Sequence, residues 1–275
     1  MPPSRPAHVT SPSKVANLPP SSPIHTVVVD AGHGGHDPGA MRYGLREKDL
    51  TLDIARRLQT ELEASGLSVI LTRDSDRFVE LSGRPEIANR LPADLFVSVH
   101  INANRNRQVS GVEVYYPRES IISASLPFPP SVKATEVAMP TWTIKRVLWD
   151  LALTRSRRNS VQIASHICRS MRSRLGVHCR GVRGARFVVL REATMPAVLV
   201  ESGYVTNRPE ASKLATPSYR QAVAEAIADG LVTYIQSLGT QHIYHNEAES
   251  LPSAQVDGVL GQEPPATLVG SAQGS

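Results

Sequence analysis

The sequence predicts an open α/β fold, a mainly parallel twisted sheet with helices on both faces, because short apolar runs alternate with helical patterns. Runs at 26–30, 67–72, 94–99, 111–116, 186–190 and 196–200 have the length and composition of strands. Strands of this kind, alternating with helices, suit a mainly parallel sheet covered on both faces. Between them, Leu50, Ile54, Leu58 and Leu62 recur four residues apart and predict a helix over Glu47–Ala64. Further helices are predicted over 82–91, over 144–175 with possible breaks, and over 218–238, where Ala222, Val223, Ala226, Ile227 and Leu231 form one stripe. Strand and helix alternating in this way define a layered α/β domain.

Length and composition set the boundaries. A chain of 275 residues that is 41% hydrophobic can bury one substantial core. Residues 1–24 are rich in Pro and Ser without apolar periodicity, and read as a disordered arm. Residues 239–275 contain no Lys or Arg, carry scattered acids, Gly and Pro, and read as a disordered tail. That leaves 25–238 as a single domain, with a Pro- and Ser-rich insertion at 117–141.

A net charge of +5 and a pI near 9.4 favour an acidic partner. No nucleic-acid-binding motif accompanies the basic clusters, whose first stretch, KRVLWDLALTRSRRNS, reads as a solvated helix face. No apolar stretch is long enough to span a membrane. The opening MPPSRPAHVTSPSKVANLPPSSP lacks the apolar core of a secretory signal. Cys168 and Cys179 form neither a disulfide framework nor a zinc-finger spacing, so Cys168 is expected to pack in a helix and Cys179 to follow its end.

Chemistry concentrates in four residues at or near strand ends: His33 in VVVDAGHGG, Glu47 in GLREKDL, His100 in LFVSVHINAN and Glu201 in PAVLVESGY. Carboxyl ends of strands are where open α/β sheets collect ligands. Imidazole and carboxylate are the donors of catalytic zinc sites, which use three protein ligands, and a further carboxylate can act as general base. Singly, each has a plainer role. A histidine after a strand is often only hydrogen-bonded, and Glu47 at a helix start complements the helix dipole. Glu201 is harder to set aside, since a carboxylate after Ala197–Val200 is costly to bury without a partner. Taken together the four point to a zinc hydrolase.

Around His33, Gly32, Gly34, Gly35 and Gly39 permit close backbone approach or a tight turn. A phosphate-binding loop is disfavoured because no Gly-Lys-Ser/Thr follows. Asp30 either orients His33 or caps the turn. Asn102, on the same side of an extended chain as His100, either binds substrate or holds the loop. His166 and His178 lack matched partners and read as surface or packing residues.

Five segments in order, VVVDAGHGGHDPGA, GLREKDLTLDIARRL, LTRDSDRFVEL, ADLFVSVHINAN and MPAVLVESGYVTN, make the span from about 26 to 238 resemble the zinc-dependent N-acetylmuramoyl-L-alanine amidases of the type 3 family. That resemblance implies hydrolysis of the amide between the lactyl group of N-acetylmuramic acid and L-alanine of the peptidoglycan stem peptide, in cell-wall remodelling or daughter-cell separation. It implies Zn2+ held by His33, Glu47 and His100, with Glu201 as the catalytic glutamate. Arg73 and Arg84 lie in family-like stretches, where they either bind stem-peptide carboxylates or pair with Asp74, Asp76 or Glu80. Some family members close the site with an inserted helix that lends zinc a glutamate until a partner removes it. Glu119 or Glu136 would fill that role here, although Pro127, Pro129 and Pro130 disfavour a continuous helix. Peptidoglycan is the expected substrate, a protein activator a conceivable partner, a monomer the expected state, and the periplasm or another extracytoplasmic space the expected location. The alternatives are a zinc exopeptidase acting on free peptides and an inactive wall-binding or activator module on the same fold.

Overall fold

The computed structural model describes Leu18, residues 22–118 and residues 142–249, with the backbone alone described for 142–150 and 240–249. The calls on Glu119, Glu136 and most of the 117–141 insertion lie outside the described residues, as do those on most of the N-terminal arm and on 250–275.

Eight strands and six helices follow in the order β1 (Thr26–Ala31), β2 (Met41–Arg42), β3 (Leu45–Arg46), α1 (Glu47–Ala64), β4 (Ser68–Leu71), α2 (Gly83–Arg90), β5 (Leu95–Asn102), β6 (Val112–Pro117), α3 (Trp142–Leu175), β7 (Cys179–Ala185), α4 (Val188–Arg191), β8 (Ala197–Tyr204), α5 (Arg208–Leu214) and α6 (Pro217–Glu249). Six strands form one sheet in the order β4-β1-β5-β8-β6-β7, and β2 with β3 makes a separate hairpin. Within the six-stranded sheet pairing is parallel except between β6 and β8, and the β2–β3 hairpin is antiparallel. The expected mainly parallel α/β sheet is therefore what the chain forms.

Side-chain alternation divides the interior into two layers. Val27, Val29, Leu95, Val97, Val99, Val198 and Val200 join the larger core with residues of α1, α3 and α6. Val28, Phe96, Ala197 and Leu199 point the other way, into a smaller cluster with Ala88 of α2 and with Val189 and Leu190 of α4. On that thinner side the same alternation places Ser98 and His100 of β5 in line with Phe96. Glu201 of β8 follows Leu199 in the same way.

Four expectations need correction. The run at 186–190 was expected to be a strand, but Val188–Arg191 forms a helical turn, with Val189 and Leu190 buried. The strand in that part of the chain is Cys179–Ala185, which among the described residues pairs with β6 alone, at the sheet's edge. Its glycines and arginines, CRGVRGA, hide it from an apolar pattern search. The last helix also runs past 238 to Glu249. At the other end, Leu18 packs on the larger core and its N–H donates to Ser65 O at 3.1 Å, so ordered packing begins before residue 25.

Finally, Cys168 and Cys179 are joined by a disulfide, where no bridge was expected. The sequence shows α3 ending near Leu175 but not that the chain turns straight back along β6. That return places the two Cα atoms 5.8 Å apart, well within bridging range.

Candidate metal centre

His33 lies in the loop after β1 with a left-handed φ of 62°. Such a conformation is uncommon outside glycine, and histidine is among the residues that tolerate it best. Two fully buried arginines hold the loop there. Arg73 donates from Nε to Ala31 O and from Nη2 to Gly32 O, both at 2.9 Å, and also to Lys48 O at 2.8 Å. Arg84 donates to Ala31 O at 2.7 Å and to His33 O at 2.8 Å. Arg84 also pairs with buried Asp30 at 2.9 Å, and Asp30 accepts further bonds from Thr72 and Ser98, each at 2.6 Å.

These contacts correct the reading of both arginines. Arg73 is fully buried and spends its donors on the chain's own oxygens, so it presents nothing to a substrate. Neither arginine pairs with Asp74, Asp76 or Glu80; Asp76 instead binds Lys48 Nζ at 2.7 Å. Asp30 does not bond the His33 ring either. That place belongs to Asp37, whose Oδ2 lies 2.7 Å from His33 Nδ1. Asp37 was missed, although a carboxylate four residues beyond a histidine in one glycine-rich loop is a readable signal.

Glu47, the first residue of α1, is almost fully buried at 4% exposure, which sets it apart from an ordinary solvated helix-start charge. Oε2 lies 3.1 Å from His33 Nε2 and accepts from Ala40 N at 2.8 Å. Oε1 lies 2.9 Å from His100 Nδ1 and accepts from Ile101 N at 2.9 Å. One donor atom from each of His33, Glu47 and His100 falls within 4.8 Å of the others, the only such group among the described residues. The glycines serve close approach, since a Cβ on Gly39 would sit 2.6 Å from Glu47 Oε2 and from the His33 ring, and one on Gly32 would strike His100.

Charge in the cluster is strongly coupled. Burial pulls both imidazoles down, but the hydrogen bond and charge of Glu47 raise His33 and His100 above the ordinary histidine value, aided at His33 by Asp37 and at His100 by Glu201. Burial opposes ionisation of Glu47, yet the two imidazoles hold it far below the usual carboxylate range. Two imidazoles drawn to one ionised carboxylate is the charge arrangement a divalent cation would replace, and two nitrogens with a carboxylate suit zinc.

Glu201 stands beside this group and outside it. It is the register partner of His100 on β5 and of Glu113 on β6. Its Oε2 is buried with no hydrogen-bond partner. Burial, reinforced by the charges of Glu47 and Glu113 against those of the histidines, pushes its carboxyl up to about 7. Glu113, also missed from sequence, accepts from Asn102 Nδ2 at 3.1 Å and from Tyr115 OH at 2.8 Å, and lies 3.5 Å from both Arg180 and Arg183. Asn102 is thereby tied to the β5–β6 wall of the cleft. His36 stacks on Phe78 at 4.1 Å and takes no part in the cluster.

An open α/β sheet that carries at its strand ends a two-histidine, one-glutamate cluster able to hold a metal ion, beside a glutamate whose Oε2 has no hydrogen-bond partner, has the form of a hydrolase. The family model for N-acetylmuramoyl-L-alanine amidase, Amidase_3, matches residues 27–233, and the chain belongs to that family of enzymes. It is 36% identical over 224 residues to N-acetylmuramoyl-L-alanine amidase AmiA of Escherichia coli K12, covering 78% of each chain. Among solved structures, AmiC2 of Nostoc punctiforme superposes with a TM-score of 0.60 at 37% identity, covering 77% of this chain and 97% of that one. The CwlD amidase of Clostridioides difficile, solved in complex with the GerS lipoprotein, gives 0.62 at 25% identity, covering 78% of this chain and 99% of that one.

Proposed function

We propose that this amidase is zinc-dependent and hydrolyses the bond between the lactyl carbonyl of N-acetylmuramic acid and the L-alanine nitrogen of the peptidoglycan stem peptide. The observation that carries this reading is the pairing of a three-donor cluster, His33, Glu47 and His100, with the unpartnered Oε2 of Glu201. When bound, zinc supplies Lewis acidity toward water and the amide carbonyl. His33 and His100 would contribute neutral nitrogens and Glu47 one negative charge. As water attacks the carbonyl carbon, Glu201 takes its proton, and as the C–N bond breaks Glu201 delivers that proton to the alanine nitrogen. Burial raises the Glu201 carboxyl above the ordinary carboxylate range, which favours its holding the proton between the two steps.

The Cys168–Cys179 bridge supports action in an oxidising, extracytoplasmic space such as the periplasm, where peptidoglycan lies. Among the described residues no helix is long and apolar enough to cross a membrane. Wall remodelling or daughter-cell separation is the role that fits, and CwlD's capture with a lipoprotein supports looking for a protein activator. The test is metal analysis combined with digestion of purified peptidoglycan and mass analysis of the products. About one zinc per chain is expected, with glycan strands and stem peptides that begin at L-alanine. Disaccharide products, or full activity after metal removal, would overturn the proposal; cleavage confined to free peptides would indicate the exopeptidase.

A further inference from the structure

The hairpin that leads into Glu47 holds an arrangement that neither the core nor the metal cluster requires. Its two turn residues, Tyr43 and Gly44, both have positive φ, 53° and 77°, as a tight hairpin turn demands. Tyrosine is a poor choice for the first position, where Asn or Asp would adopt that φ more cheaply, and a non-glycine residue held there is a reason to look for function. No packing accounts for it, since Tyr43 is 45% exposed and its neighbour Met41 is 60% exposed. Residues 41–46 line a shallow concavity of about 470 Å³.

Two guanidinium groups lie over the Tyr43 ring. Arg42 Cζ is 5.4 Å from the ring centroid and Arg208 Cζ is 5.9 Å. Neither arginine has a carboxylate within ion-pair distance among the described residues, whereas neighbouring Arg46 is paired with Asp49 at 2.6 Å. Arg208 comes from a distant part of the chain, seven residues beyond Glu201 at the start of α5. The contact through Tyr43 therefore joins the ligand-bearing loop to the exit of β8, with the metal cluster at one end of the hairpin and the Glu201 strand behind Arg208.

We infer that Arg42, Tyr43 and Arg208 form a subsite for the carboxylates of the substrate's peptide half. This rests on the proposed function for the identity of the substrate and adds which part of it is recognised. The muramyl glycan offers no carboxylate once its lactyl group is in amide linkage, so two arginines without acidic partners match the stem peptide and not the sugar. Guanidinium groups already over the ring also occupy the surface on which a sugar would stack. Tyr43 acts as a common support for the two arginines, whose N–H edges bind carboxylate in the forked geometry arginine favours.

Calorimetric titration tests this with the full chain carrying Glu201→Gln, so that bound material is not turned over. The probes are a soluble N-acetylmuramoyl-tetrapeptide with free carboxylates and the same compound with those carboxylates converted to amides. Adding Arg42→Gln and Arg208→Gln is expected to weaken the acidic probe about tenfold and to change the amidated probe less than twofold. Tyr43→Leu, which keeps an apolar residue but removes the support, is expected to weaken the acidic probe as well, with an unchanged melting temperature showing that the fold is intact. Equal losses for both probes, no loss for the acidic one, or no binding by protein with both arginines intact would overturn the subsite. Loss confined to a peptide-free oligosaccharide would assign the hairpin to glycan and overturn it too. Failure of the wild-type chain to cut peptidoglycan would count against the proposed reaction, while the titration would still decide the subsite.

Discussion

Asp37 Oδ2 lies 2.7 Å from His33 Nδ1, while Glu47 Oε2 lies 3.1 Å from Nε2 of the same ring. A carboxylate placed there orients the ring and, when a cation takes the place of the Nε2 proton, holds the remaining proton on Nδ1, the usual task of a carboxylate behind a metal-binding histidine. Asp37→Ala should therefore lower zinc affinity about 10- to 100-fold while the fold persists. Competition with a chelator of known affinity measures this, and an unchanged zinc affinity would remove Asp37 from the site.

Ligand and base are separable by substitution. Alanine at His33, Glu47 or His100 should reduce both zinc content and activity, because each removes one of three protein donors. Glu201→Gln should retain zinc and lose about 100-fold or more in rate. A Glu201→Gln protein that no longer binds zinc would make Glu201 a ligand and reopen the assignment of Glu47.

Gly39→Ala tests the close approach around the cluster. The added Cβ would lie 2.6 Å from Glu47 Oε2, at a residue whose φ is 64°. Zinc binding should weaken even though no donor is removed. Wild-type zinc affinity in this variant would show that the loop can shift without cost.

Asp30 and Arg84 predict an acid limb in stability. Burial opposes the charge on Asp30, but Arg84, with bonds from Ser98 and Thr72, holds its carboxyl below the usual range. A depressed folded-state pKa gives stability that is fully present above the unfolded value of about 3.9 and lost as pH falls through the folded one. Asp30→Asn should cost about 3 kcal/mol at neutral pH by leaving Arg84 buried without its counter-charge, and the gap to wild type should narrow below about pH 4. Denaturant melts across pH check this; a gap of constant size would mean that the pair contributes no pH dependence.

Opening the Cys168–Cys179 bridge by double substitution to Ser should lower stability by about 2–3 kcal/mol, the range for so short a loop. Thermal melts with and without reductant should agree with the double variant. No change on reduction would show that the bridge adds nothing to the folded state.

Much of the fold could be read because helix period and strand length are local. The four-residue repeat of Leu50, Ile54, Leu58 and Leu62 placed the first long helix at Glu47–Ala64, with the bounds it has in the structure. What escaped depended on neighbours brought from elsewhere in the chain. Cys179–Ala185 is a strand because β6 offers it a free edge, not because its residues alternate. Val188–Arg191 has a strand-like composition but packs as one helical turn on the thin side of the sheet. The four central site residues could be named because each follows or begins a recognisable element. Asp30 was weighed as the residue that orients His33, but the fold gives Asp30 to Arg84 and the imidazole to Asp37.

The border strand β7 has a consequence for the protein's behaviour in a crowded compartment. A strand with one neighbour leaves a row of backbone groups that another chain could copy onto, the first step of edge-to-edge aggregation. Here that border carries Arg180 and Arg183, is broken by Gly181 with φ at 136°, and is fastened at its first residue to α3 by the disulfide. Cationic side chains, an irregular backbone and a covalent tether each discourage a second copy from extending the sheet at this border.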